Sequence, residues 1–305
     1  MPDRLERQAH AKVNLTLRIT GRRPDGYHSL ESVMQTVELA DELELVRAPE
    51  ISLECDHPAV PLGADNLVVR AAWVLREHWG CRQGAHIRLR KRIPLQAGLG
   101  GGSADAAAAL LALSELWELG AGPADLLPLA AELGSDVGFF LFGGTAVVAG
   151  AGEQVGPATG SPMPLHLVLA QPEGGLSTAA VYRRYDELAV PASRDDSAAA
   201  MLAALERGDL AGIAAALAND LERAVLPEHP PVAALKRALR EAGCPGALLC
   251  GSGSAVFGLC RGPEQAREVL ERLRSLPWRA YTLTWPGERS RPAGGEQGEQ
   301  AQGGG

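Results

Sequence analysis

The chain has 305 residues, 46% of them hydrophobic, and a net charge of −8 at neutral pH. That much apolar sequence fills more than one core, so two domains are expected, and the acidic balance disfavours a general nucleic-acid coat. The longest apolar run, between 137 and 151, is short and broken by glycine, which argues against a membrane span.

Residues 1–8 are polar and expected to be loose. From His10 to Ile19 the apolar Val13, Leu15, Leu17 and Ile19 alternate with Lys12, Asn14, Thr16 and Arg18, the pattern of one strand with a single buried face. On spacing alone, Lys12 and Asn14 suit a solvated strand face as well as a site. Pro24 and the Asp25-Gly26 pair predict a turn. Tyr27 and His28 then open an extended segment to Leu39, where an aromatic and an imidazole fit edge packing or a platform for a flat ring with a hydrogen-bonding edge. Short strands are expected at 43–45 and 51–53. Asp65-Asn66-Leu67 caps a helix reaching His78, with Leu67, Val68, Ala71, Val74 and Leu75 at helical spacing.

A strand at 86–92 delivers the chain into Gly98-Leu99-Gly100-Gly101-Gly102-Ser103. Four glycines in five positions do not make a stable helix or strand interior. Leu110, Leu111, Leu113 and Leu116 beyond them share an apolar side, predicting a helix with Ser103 at its N-cap. A loop feeding a helix start presents free amides and the positive end of the helix dipole, a site for phosphate; the other reading is a tight turn before an Ala-rich packing helix. The loop is not a Walker A motif, which needs Gly-Lys-Ser/Thr at its end, nor a dinucleotide fingerprint, which needs glycine where Ser103 stands.

A helix between 124 and 133 should end at Gly134, followed by Asp136 ahead of the apolar Val137, Phe139 and Phe140 and a strand at 145–149. A carboxylate drawn toward the interior there caps a helical turn, pairs with a cation, or is held for chemistry. A second domain is expected to begin near Pro164: a strand at 165–170, helices at 178–185, 198–205, 212–224 and 231–241, a hairpin through 247–260 closed by Gly251-Ser252-Gly253-Ser254, a helix at 263–273 and a strand at 280–284. The tail from 287 lacks apolar anchors and is expected to be disordered.

Cys55, Cys81, Cys244, Cys250 and Cys260 show no C-x-x-C spacing, and no secretory signal is visible, so reduced thiols and a cytoplasmic protein are expected. The histidines form no H-x-x-x-H pair, and no metal site is read. Lysine occurs only at Lys12, Lys91 and Lys236 among 29 basic residues, which marks each as a place suited to a compact ammonium. Arg22, Arg23 and Lys91 could offset an anionic ligand, although a solvated surface is the expected setting of each.

Three separated segments resemble the GHMP kinases, the superfamily of galactokinase, homoserine kinase and mevalonate kinase: the run Pro94 to Ala107, Ala11-Lys12-Val13-Asn14-Leu15, and Gly251 to Gly258. Gly21 to Leu30, Asp65-Asn66-Leu67, Gly134 to Phe140 and Ala218-Asn219-Asp220-Leu221-Glu222 narrow the resemblance to the branch whose substrate is 4-diphosphocytidyl-2-C-methyl-D-erythritol. It runs from about residue 9 to 285 in the expected order. It implies an α+β, two-domain GHMP kinase fold, with a first domain (1–163) like a ribosomal-protein domain, a ferredoxin-like second domain (164–286) and an active site in the cleft between them. The implied activity is ATP-dependent phosphorylation of the substrate's 2-hydroxyl in the non-mevalonate isoprenoid pathway, with Mg²⁺ accompanying ATP.

Carried over by position, the resemblance implies a catalytic pair of Lys12 and Asp136, with Asn14 beside them. It places Asp65, Asn66 and Leu67 near the adenosine, and Pro94 with Gly98, Leu99, Gly100, Gly101, Gly102 and Ser103 around the ATP phosphates. Tyr27, His28 and Tyr182 fall on the cytosine pocket, Tyr182 standing where phenylalanine is commoner. Ser103 or Asp105 are the residues nearest to a role at the metal, and neither is assigned one. The implied partners are a small molecule, no nucleic acid and no membrane, for a monomer or weak homodimer. Two other readings are a different GHMP kinase of the homoserine or mevalonate type and a silent nucleotide-binding or RNA-contacting module.

Overall fold

The computed structural model describes residues 3–192, 196–274 and 276–285. In the first half β1 (Arg4–Asn14), β2 (Thr16–Arg22), β3 (His28–Ala48) and β4 (Ser52–Cys55) precede α1 (Leu67–His78) and β5 (Gly84–Arg90). Then come α2 (Gly101–Leu116), α3 (Pro123–Leu133), the short α4 (Val137–Phe142), β6 (Thr145–Gly150) and β7 (Gln154–Ala158). The 21-residue β3 is the spine of the sheet, pairing antiparallel with β1, β2, β5 and β6 at successive points along its length.

Several local expectations give way to tertiary pairing. Residues 4–8 are not loose: β1 starts at Arg4 because β3 supplies a hydrogen-bonding partner and Leu5 reaches the core. The single strand at 10–19 is two, separated at Leu15, whose amide bonds Val33 O at 2.8 Å. The segment at 43–45 belongs to β3 and is not separate. β7, with no buried residue and no alternation to read, pairs with β6. The helix after the glycine loop begins at Gly101, and its cap is Gly100 in the left-handed conformation (φ 72°), not Ser103.

The second half runs β8 (Leu165–Pro172), α5 (Thr178–Glu187), α6 (Ser197–Glu206), α7 (Leu210–Ala216), β9 (Ala218–Asn219), α8 (Glu222–Val225), α9 (Pro230–Glu241), β10 (Gly246–Leu249), β11 (Val256–Cys260), α10 (Pro263–Arg274) and β12 (Trp278–Trp285). Its four strands lie in the order β10-β11-β8-β12, all neighbours antiparallel. With α9 between β8 and β10 and α10 between β11 and β12, this is the ferredoxin-like split βαβ arrangement. The helix expected at 212–224 is interrupted at β9, which pairs with β2; Asn219 and Asp220 there spend their side chains on other segments, competing with a helical ladder. The tail from 287, and residue 286 before it, lie outside the described residues.

α2 is buried on nearly every side, eleven of its sixteen residues being inaccessible, so it lies inside the fold rather than on its surface. Its alanines allow close approach to α1, β1 and α4. A second core crosses between the halves: Val13, Leu15, Ile93 and Leu99 pack with Leu165, Leu167, Leu248 and Phe257. The two sheets therefore meet through apolar side chains at the point where the glycine loop passes between them. Among the described residues, no helix is long and apolar enough to cross a membrane.

Candidate active site

The glycine loop is seated on the turn after β10. Ala255 N and Ser254 N donate to Ala97 O and Gln96 O, each at 3.2 Å. At Gly98 (φ +77°) an added Cβ would lie 1.8 Å from Cys250 O, so this position admits no side chain. Gly100 (φ +72°) is as restricted, a Cβ there meeting the Phe140 ring at 2.7 Å and Lys12 Cγ at 3.3 Å. Ala104 N makes the first helical bond, to Gly100 O at 2.8 Å. The amides of Gly101, Gly102 and Ser103 thus stand ahead of the helical ladder, and Gly102 is exposed. Leu67, at the head of α1, lies within 3.7 Å of a Cβ built on Gly102. Asn66 is the N-cap of α1, its Oδ1 accepting from Val68 N at 2.8 Å and its Nδ2 donating to Pro61 O, while Asp65 is exposed. Pro94 is half-buried before the loop.

Lys12 and Asp136 meet at the mouth of this loop. The Lys12 side chain, 4% exposed, donates to Asn14 Oδ1 at 2.6 Å and stands 3.5 Å from Asp136 Oδ2. Its backbone amide bonds Leu99 O at 3.0 Å, which ties β1 to the loop. Asn14 is wholly buried and passes its amide to Ser32 Oγ, which donates to Thr16 O, so the Lys12 ammonium has a fixed bearing. Asp136 starts α4, yet its side chain makes no cap bond; it is 30% exposed and turned to Lys12. Gly251 closes the other side, a Cβ there falling 3.3 Å from Lys12 Nζ. An ammonium, an accessible carboxylate and free amides around an opening can bind a polyphosphate and take a proton from a hydroxyl.

A second cluster adjoins the first. The rings of His28 and Tyr182 lie 4.9 Å apart, tilted by 35°. Burial raises the pKa of the Tyr182 hydroxyl and the Asp136 carboxylate adds to it, which places Tyr182 within electrostatic reach of Asp136. His28 Nε2 is 2.6 Å from Asp186 Oδ1. Tyr27, by contrast, is 63% exposed on the turn after β2, with no ring contact to His28 or Tyr182. Asp186 carries no motif of its own in the sequence; its one signal is the i, i+4 spacing from Tyr182 on α5, which sets both on one helix face.

Lys91 is not on the surface. Its ammonium is buried between Asp41 and Asp105, bonding Asp105 Oδ2 at 2.7 Å and Asp41 Oδ2, and lies 3.3 Å from a Cβ built on Gly101. Asp41 Oδ1 also accepts from the amides of Arg92 and Ile93, so the triad anchors the strand-to-loop passage. Burial pushes the Asp105 carboxyl up to about 7, with Asp41 repelling its charge and the Lys91 ammonium opposing the shift. A folded-state pKa above the ordinary value of 3.8 means the native protein holds this proton where the unfolded chain has released it. The stabilisation is full below about pH 4 and is lost as pH rises through about 7. Urea unfolding should show the wild type losing stability relative to Asp105→Asn between about pH 4 and pH 7, with no further loss above that; a constant difference would refute the shift. Turned inward to Lys91, Asp105 is not placed to hold a metal, and among the described residues no group of three or more histidine, cysteine or acidic side chains forms a metal cage.

Two sequence families match this chain: the one described as GHMP kinases N terminal domain over residues 66–144 and the one described as GHMP kinases C terminal over residues 201–277. The chain is 52% identical over 268 residues to the 4-diphosphocytidyl-2-C-methyl-D-erythritol kinase of Pelotomaculum thermopropionicum, across 87% of this chain and 92% of that one. It is 48% identical over 280 residues to the protein of the same name from Symbiobacterium thermophilum, across 92% and 99% of the two. A crystal structure of 4-(cytidine 5'-diphospho)-2C-methyl-D-erythritol kinase is similar at a TM-score of 0.77 and 39% identity, covering 93% of this chain and 100% of that one.

Proposed function

We infer, for a chain that belongs to the GHMP kinases and among them to the 4-diphosphocytidyl-2-C-methyl-D-erythritol kinases, that it transfers the γ-phosphoryl group of ATP to the 2-hydroxyl of that substrate, releasing ADP, in the non-mevalonate isoprenoid pathway. The observation that carries the reading is the Lys12–Asp136 pair, 3.5 Å apart at the opening of the glycine loop.

The substrate hydroxyl oxygen attacks the γ-phosphorus, the bond to the β-phosphate oxygen breaks, and Asp136 takes the hydroxyl proton. Lys12, held by Asn14, sets its ammonium against the charge that gathers on the transferring oxygens. The amides of Gly101, Gly102 and Ser103 and the positive end of α2 receive the ATP phosphates, with Gly98, Leu99, Gly100 and Pro94 shaping the approach. Asp65, Asn66 and Leu67 border the adenosine. Tyr182 and His28 receive the cytosine, and Tyr27, exposed on its turn, is free to close over it. Bound with ATP, Mg²⁺ would neutralise phosphate charge; among the described residues no cluster of carboxylates forms a cage for it. We place the ATP-binding domain in residues 1–163 and the second domain in 164–286, and take the protein to act on a small molecule in the cytoplasm.

The test is ADP release measured with the cytidine diphosphate compound, homoserine and mevalonate as alternative acceptors. Turnover is expected with the first alone. Efficient use of homoserine or mevalonate with the cytidine compound ignored would assign the site to another branch of the superfamily, and binding of ATP without turnover on any acceptor would favour a silent nucleotide-binding module.

A further inference from the structure

We propose that Asp186 is a specificity-determining positioning residue: it fixes the proton of His28 on Nε2, so that the pocket prefers a base presenting an exocyclic amine over one presenting a carbonyl, cytosine over uracil. The proposal rests on the cytidine reading above and adds the group that sets the polarity of the base contact.

The geometry is specific. Asp186 and Tyr182 lie four residues apart on α5 and both reach His28, the first through a 2.6 Å contact of Oδ1 with Nε2 and the second by ring contact. Val181 and Tyr185, on the other side of that helix, are buried in the core, which fixes its rotation. The second carboxylate oxygen of Asp186 stands 3.7 Å from Arg22 Nη1, leaving Oδ1 to the imidazole. His28 is itself half-buried, and its Nδ1 has no partner among the described residues.

The chemistry follows from the inventory of donors and acceptors. An ionised carboxylate only accepts, so Nε2 must carry a proton to bond it. In the neutral imidazole that leaves Nδ1 as an acceptor. Cytosine offers an amine N–H on its pairing edge where uracil offers a carbonyl oxygen. An acceptor meets the first and repels the second. A contact serving only to tie α5 to β3 would strengthen the fold without favouring either base.

The experiment measures calorimetric Kd values for cytidine 5'-diphosphate and uridine 5'-diphosphate, with the ATP site filled by a non-hydrolysable analogue, on the wild type, Asp186→Ala and Asp186→Glu. The wild type should prefer the cytidine nucleotide. Asp186→Ala should shrink that preference by at least about threefold, the worth of one polar contact, while Asp186→Glu keeps most of it. kcat with the cytidine substrate should change less than KM, because Asp186 does not touch the reacting atoms. A preference unchanged in Asp186→Ala, or absent from the wild type, overturns the proposal. A wild type that prefers the cytidine nucleotide yet phosphorylates none of the three acceptors sinks the proposed activity and leaves the role of Asp186 standing.

Discussion

Asp136→Asn should lower kcat by at least about 100-fold, the usual contribution of a positioned base, with KM for both substrates changing only a few-fold. The amide keeps the shape of the carboxylate and its place beside Lys12, so what is removed is the capacity to take a proton. The side chain is 30% exposed and caps nothing, so the melting temperature should barely move. That combination separates a chemical role from a structural one. ADP-release kinetics with the cytidine substrate, set beside a thermal melt, decide the matter; near-normal turnover would remove Asp136 from the mechanism.

Among the described glycines, Gly98→Ala should be the most damaging substitution by alanine. The residue sits at φ +77°, which costs an L-residue about 1 kcal/mol by itself. The added carbon would also stand 1.8 Å from Cys250 O and 2.9 Å from Gly253 N, both backbone atoms with no rotamer to yield. The loop and the turn after β10 would have to part, taking with them the bonds from Ser254 and Ala255. A loss of at least about 3 kcal/mol in unfolding free energy is expected, with ATP affinity falling as the amides of α2 lose their seat. Gly102→Ala is the control: only Leu67 Cδ1, at 3.7 Å, stands near the new carbon, and the backbone there is ordinary, so its stability should be close to wild type. Equal stability of the two variants would show that the loop does not depend on this contact.

The local alphabet of the chain was readable wherever a cap, a turn or a period was strong: α1 behind Asn66, the Asp25-Gly26 turn, and the 247–260 hairpin all lie where their residues place them. What could not be read was partnership across the chain. Residues 4–8 look featureless until β3 lies beside them, and β3 itself looks like two strands because its charged stretch around Asp41 hides a continuous ladder. The Ala-rich run before Asn219 reads as a continuing helix, and the carbonyls of Leu249 and Gly251, which accept from the Asn219 side chain, reveal why it breaks there. The same holds at the site. Scarcity of lysine singled out Lys12 and Lys91 alike, and nothing local told that one would face the opening and the other be enclosed by Asp41 and Asp105. Asp186 is not legible locally because its partner is 158 positions earlier.

The apolar seam joining Val13 and Leu99 to Leu167 and Phe257 bears on how this protein can move. Groups that bracket a cleft in many two-part proteins swing toward each other on a hinge, and prising them apart merely wets a polar gap. Here the same separation would uncover oily side chains beneath the glycine loop, so rigid-body gaping is the expensive motion. Local shifts at the rim, such as at the exposed turn bearing Tyr27, leave that seam closed, while Lys12 and Asp136 both belong to the first half, so the spacing between ammonium and carboxylate is set within it and not by how the halves meet.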